Sequence, residues 1–173
     1  MNKEILPNFI RISLLILFQV LILREINLES STSKYFNILI YQFGIMLLPV
    51  ATPSFIVFLI AFLSGLIVDN FYNSIGVHAS ACLWMAACRV FVLKYLEPKS
   101  GYTINQKPSA TSLGMFWFLQ YTSILTITYL LTYFILDVFT LVYFGQILLK
   151  TIGSFTISIL VILLIYILIN PKE

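Results

Sequence analysis

The chain has 173 residues, of which 60% are hydrophobic and only 10% charged, with a mean hydropathy of +0.99 and a formal net charge of +3. Soluble domains carry about 25% charged residues, and their apolar runs stop short of a bilayer's span. This composition excludes a water-soluble globule, leaves one membrane domain over 1–173, and offers no Lys/Arg run for nucleic acid, so membrane lipids are the expected surroundings.

The opening MNKEILPNFIRISLLILFQVLIL looks like a secretory signal. Arg11 interrupts its apolar run, however, and the run ends in Arg24-Glu25 rather than a small-residue cleavage site. It reads as an uncleaved first spanning helix over about 8–23. A polar loop follows, and a second span over about 35–50 stops at Pro49 and Pro53. Pro53 suits the first turn of a third helix over about 53–68, where its missing N–H costs nothing. Asp69 and Asn70 end that helix, and Asn73, Ser74 and Gly76 make a turn. The fourth span is about 77–96, followed by the long polar connection EPKSGYTINQKPSATS. The fifth and sixth, about 113–139 and 143–169, are long enough to tilt. The expected fold class is therefore all-α, with six transmembrane helices.

Six spans place both termini on one side. With that side inside, Lys3, Arg11, Arg89, Lys94, Lys99, Lys107 and Lys172 lie inside against Arg24, Lys34 and Lys150 outside. Seven against three follows the positive-inside rule and predicts cytoplasmic termini.

Ala61, Gly65 and Asp69 recur every four residues and share one face of the third helix. Ala79, Cys82, Ala86 and Arg89 form a stripe on the fourth, with Gly76 and Ser80 beside it. Small residues let backbones approach closely, which drives helix association in lipid, so these two helices are expected to form a tight hairpin. Asp69 has two readings. At the rim, in water, it simply ends a helix; facing the bundle, it needs a partner. His78 offers a hydrogen bond and Lys150 a charge, for which Asp137 competes, giving an expected outer-leaflet cluster of Asp69, Asp137 and Lys150. Arg89, about two turns inside its helix, is expected to snorkel to the headgroups. Gln19 and Gln42 fall near the middle of the first two spans and are expected to satisfy each other by an interhelical hydrogen bond. Thr122, Ser123, Thr126, Thr128 and Thr132 can bond back to their own helix's carbonyls.

Chemistry is sparse. There is one histidine, no HExxH, no nucleophile elbow, no glycine-rich phosphate loop and no carboxylate pair at fixed helical spacing. Asp69 with His78 is the one candidate acid–base pair. Cys82 and Cys88, six apart on one helix, point to different faces and suit neither a disulfide nor a metal. No enzyme, cofactor or metal site is expected.

The short third helix ending GLIVDNFYNSIGVHASA and the small-residue fourth ending near RVFVLKYLEPKSGY carry a family likeness. Together with the opening MNKEILPNFIR and the LGMFWFLQY start of the fifth helix, they resemble the MreD family, bacterial rod shape-determining membrane proteins, in a form similar to the Bacteroidetes branch. The resemblance covers essentially the whole chain. It implies an inner-membrane scaffold without catalytic residues that partners MreC, a single-span protein with a periplasmic domain. Through that complex it would link MreB filaments to peptidoglycan synthesis by RodA and its class B transpeptidase. It also implies a six-helix bundle similar to the substrate-binding subunits of ECF-type vitamin transporters; a small-molecule-binding subunit of such a transporter is the alternative function. Gly65, Asp69 and Gly76 match the family pattern and carry over as fold- or assembly-critical, with His78 and Arg89 beside them.

Overall fold

A computed structural model describes residues 2–25, 37–103 and 106–169. The described residues are helical and contain no strand. Helix α1 (Asn2–Phe18) continues into a π-helical turn at Gln19–Leu23. A short helix α2 (Gln42–Met46) follows, then α3 (Ser54–Tyr72) and α4 (Val77–Tyr95). The four-residue α5 (Ala110–Leu113) leads into α6 (Met115–Val138), and a 3-10 turn at Leu141–Tyr143 leads into α7 (Phe144–Ile169).

Among the described residues, five helices are long and apolar enough to cross a membrane: α1 with its π turn, α3, α4, α6 and α7. The chain is a multi-pass membrane protein. The boundaries of α4, α6 and α7 fall within two residues of the sequence expectation. α3 runs four residues further than expected, to Tyr72, so Asp69 lies inside the helix rather than ending it.

The second expected span differs most. Its first two residues, 35–36, lie outside the described residues; from Asn37 to Ile40 the chain has no regular structure, then makes the five-residue α2, and turns again before Pro49. Leu39, Ile40, Tyr41, Phe43, Ile45 and Met46 are at most 1% exposed, so this broken segment is the centre of the bundle. α3 packs on α4, α4 on α6 and α6 on α7, while α1 lies against the segment and its flanks. Gly44 permits the close approach of α1 to the segment: a Cβ there would lie 3.0 Å from Ile12 Cγ1 and 3.2 Å from Ile12 Cα.

Non-helical backbone at membrane depth survives only where protein satisfies its polar groups. Here side chains from the surrounding helices do so. Ser154 and Ser158 of α7 accept from Asn37 N at 2.9 Å and Leu39 N at 3.2 Å. Gln19 accepts from Ile40 N at 2.9 Å through Oε1 and donates to Ile38 O at 3.0 Å through Nε2. Further along, Tyr121 donates to Met46 O at 2.8 Å and Arg11 to Leu47 O at 3.0 Å. Each bond replaces one that a regular helix would have made internally.

Candidate functional site

The α3–α4 hairpin is held by two contacts on the same two residues of α4. A Cβ on Gly65 would lie 2.3 Å from Ala79 Cα, 2.6 Å from Ala79 N and 2.9 Å from His78 C, so the helices touch backbone to backbone. One turn along α3, the Asp69 carboxylate is only 3% exposed. Its Oδ1 accepts from His78 N at 3.0 Å and Ser74 Oγ at 2.6 Å, and its Oδ2 accepts from Ala79 N at 2.9 Å.

His78 and Ala79 are the second and third residues of α4, whose first N–H groups have no partner within the helix. A side chain at the N-cap normally accepts from them. Here the N-cap is Gly76, at φ +76°, which has no side chain to offer. Asp69 caps α4 from the neighbouring helix, and its negative charge meets the positive end of the α4 dipole. The turn between them needs left-handed backbone at both ends: Asn73 (φ 53°) closes α3 and Gly76 opens α4. Ala61, Ala79, Cys82 and Ala86 are at most 2% exposed. These small residues are therefore buried within the bundle, and at Gly65 and Ala79 the two helices meet directly, as the spacing predicts.

The His78 side chain goes elsewhere. Its contact with Asp69 is through the backbone N–H, while Nδ1 lies 2.8 Å from Tyr129 Oη and 3.4 Å from Tyr41 Oη. The two phenols are 2.9 Å apart, and Cys82 Sγ donates to Tyr41 at 3.3 Å. The rings of Tyr72 and Tyr133 pack on the imidazole at centroid distances of 5.0 and 4.7 Å. Nε2 is buried with no partner among the described residues. The structure thus does not join Asp69 and His78 as an acid–base pair. Tyr41 and Tyr129 were not singled out from the sequence, although a tyrosine well inside an apolar span is itself a signal, since its hydroxyl must find a partner.

Arg89 does not snorkel. It is 3% exposed and turns inward, donating from Nη2 to Leu48 O at 2.6 Å and Pro49 O at 3.2 Å, and from Nε to Tyr121 Oη at 3.0 Å. The carbonyls freed at the end of the broken segment supply an acceptor set that a regular second helix would have kept for itself. Gln19 and Gln42 do not meet either: Gln19 Nε2 also reaches Tyr72 Oη at 2.8 Å, and Gln42 Nε2 bonds Leu39 O at 2.8 Å within its own segment.

The expected cluster of Asp69, Asp137 and Lys150 does not assemble. The Asp69 oxygens are engaged by Ser74, His78 and Ala79, Asp137 is exposed and Lys150 half-buried. The threonine expectation holds for Thr122, Thr128 and Thr132, which donate to Phe118 O, Ile124 O and Thr128 O at 2.7, 2.8 and 2.8 Å. Cys82 and Cys88 are free thiols.

Asp69 and Arg89 therefore act on this chain's own backbone, and what the arrangement does is fix three elements against one another. Comparison with protein-family models, curated protein sequences and solved structures finds no match.

Proposed function

We propose that the chain is a non-enzymatic scaffold of the bacterial cell-wall elongation complex, an MreD-family protein of the inner membrane. It acts with MreC, and through it with MreB, RodA and the class B transpeptidase, to direct peptidoglycan synthesis and maintain cell shape. The observation that supports this reading most is the engagement of Asp69, Arg89 and Gln19 with backbone groups of their own chain. Ionisable residues in a membrane interior are costly and ordinarily mark reaction or transport paths. Here they brace a bundle whose outer faces are apolar, with Leu14, Phe55 and Leu149 at least 60% exposed. A rigid body with apolar sides suits lateral docking of a single-span partner. Because Ala61, Ala79, Cys82 and Ala86 are buried within the bundle, that partner docks on another face.

The alternative, a small-molecule-binding transport subunit, requires an interior cavity, and ligand pockets are about 300–1,000 Å³. The broken segment occupies the centre of the bundle instead, which favours the scaffold. In this reading the chain makes six passes, the second being the broken segment, with both termini cytoplasmic.

The test is recovery of the tagged chain from native membranes with identification of what copurifies. A single-span protein with a periplasmic domain, together with elongation enzymes, is expected, and depletion should round the cells. Recovery of the chain without them overturns the proposal.

A further inference from the structure

At the end of the bundle that carries the α4–α6 connection, a cleft of about 130 Å³ opens between α1, the broken segment, that connection and α7. Two cationic side chains reach it from distant parts of the chain, Arg11 of α1 and Lys107 of the connection. The hydroxyl residues Ser109, Thr111 and Tyr166 line it with them, over a floor of buried Phe43 and Leu47. Among the described residues that line it, none is acidic.

The donors are held in place. Arg11 Nη2 donates to Asn8 Oδ1 at 2.9 Å and Leu47 O at 3.0 Å, which fixes the guanidinium plane, while its Nε is buried without a partner among the described residues. Tyr166, 6% exposed, accepts from Ala110 N at 2.9 Å and Thr111 N at 3.3 Å, which ties the Ser109–Thr111 turn to α7. The depth is also defined. Arg11 lies five residues into the apolar window that begins at Leu6, and Tyr166 two residues before the window that ends at Leu168. At 1.5 Å per residue both are within roughly 3–8 Å of the span ends, the level of lipid headgroups.

A fixed guanidinium with an ammonium and hydroxyls beside it is the donor set that recognises phosphate oxygens. Basic pockets between membrane helices at headgroup depth attract anionic lipid. Leu6, Phe9 and Ile10 of α1, all at least 48% exposed, offer apolar surface at the same level for acyl chains. We infer that the cleft binds a phosphate group, that of an anionic phospholipid headgroup, independently of which protein partner the chain engages.

The test uses the full chain purified in neutral detergent, with native mass spectrometry and thermal melting in the presence of phosphatidylglycerol, phosphatidylcholine or inorganic phosphate. Phosphatidylglycerol is expected to bind and to raise the melting temperature above the phosphatidylcholine control. Lys107→Gln, at an exposed connection residue, should weaken that binding roughly five-fold, the effect of one cation at a membrane surface. Thr111→Val should weaken it as well, and neither should alter phosphatidylcholine binding. Equal binding of the two lipids overturns the proposal, as does unchanged phosphatidylglycerol affinity in Lys107→Gln. If inorganic phosphate stabilises as strongly as phosphatidylglycerol and displaces it, the lipid assignment falls and the cleft is a free-anion site.

Discussion

Gly65 and Asp69, one turn apart on α3, grip the same two residues of α4 by different forces. At Gly65 the limit is steric: no side chain fits where a Cβ would lie 2.3 Å from Ala79 Cα. At Asp69 the force is charge-assisted hydrogen bonding to two helix N-terminal amides and a hydroxyl. Gly65→Leu is therefore expected to prevent the hairpin from closing, with loss of folded protein. Asp69→Asn keeps an oxygen but sets an amide N–H against a backbone N–H, and should cost roughly 1–3 kcal/mol. Asp69→Ala orphans both amides and should cost more than Asp69→Asn. Melting curves of the three variants in one detergent check the order, and an Asp69→Asn protein less stable than Gly65→Leu contradicts it. The Gly65 contact was legible in the sequence because small residues at a four-residue spacing have one physical meaning in lipid. The cap was not, because the sequence places Asp69 near a turn without saying that Gly76 leaves α4 uncapped.

The broken segment is the element that sequence reasoning could not resolve. A buried apolar run reads the same whether it is helical or irregular, since periodicity carries no signal when every side is covered. The clues were the polar residues around it: Gln19, Arg89, Ser154 and Ser158 look like isolated intrahelical polar groups until the segment's unpaired amides and carbonyls give them partners. Their weights differ. Gln19→Leu removes the acceptor for Ile40 N and the donor to Ile38 O together, whereas Ser158→Ala removes a single bond of 3.2 Å. Hydrogen exchange at Ile40 is therefore expected to accelerate strongly in Gln19→Leu and little in Ser158→Ala. Comparable protection at Ile40 in Gln19→Leu and the parent chain means that the segment does not depend on this brace. Arg89→Lys, with one ammonium in place of a fork that reaches Leu48 O, Pro49 O and Tyr121 together, should loosen the 46–49 end and leave Ile40 unaffected.

At the scale of the molecule, the structure changes the argument for orientation. Two of the seven cations assigned to the inner side, Arg11 and Arg89, sit within helices and donate to carbonyls of the broken segment. Setting them aside leaves Lys3, Lys94, Lys99, Lys107 and Lys172 against Arg24, Lys34 and Lys150, five against three. A cation bound inside the protein contributes nothing to a rule that counts loop charge, so the bias that orients the chain is weaker than the sequence suggests. Direct labelling decides the matter. Ile75, fully exposed at the α3–α4 turn, and Ser100, exposed in the α4–α6 connection, lie at opposite ends of α4. In a background with Cys88, the more accessible of the two native thiols, replaced by Ala, Ile75→Cys should react with a membrane-impermeant maleimide on intact spheroplasts. Ser100→Cys should react only after permeabilisation. The reverse pattern inverts the bundle. It would put the Arg11–Lys107 cleft on the outer leaflet and the hairpin turn in the cytoplasm, out of reach of the periplasmic domain that the proposed scaffold role requires.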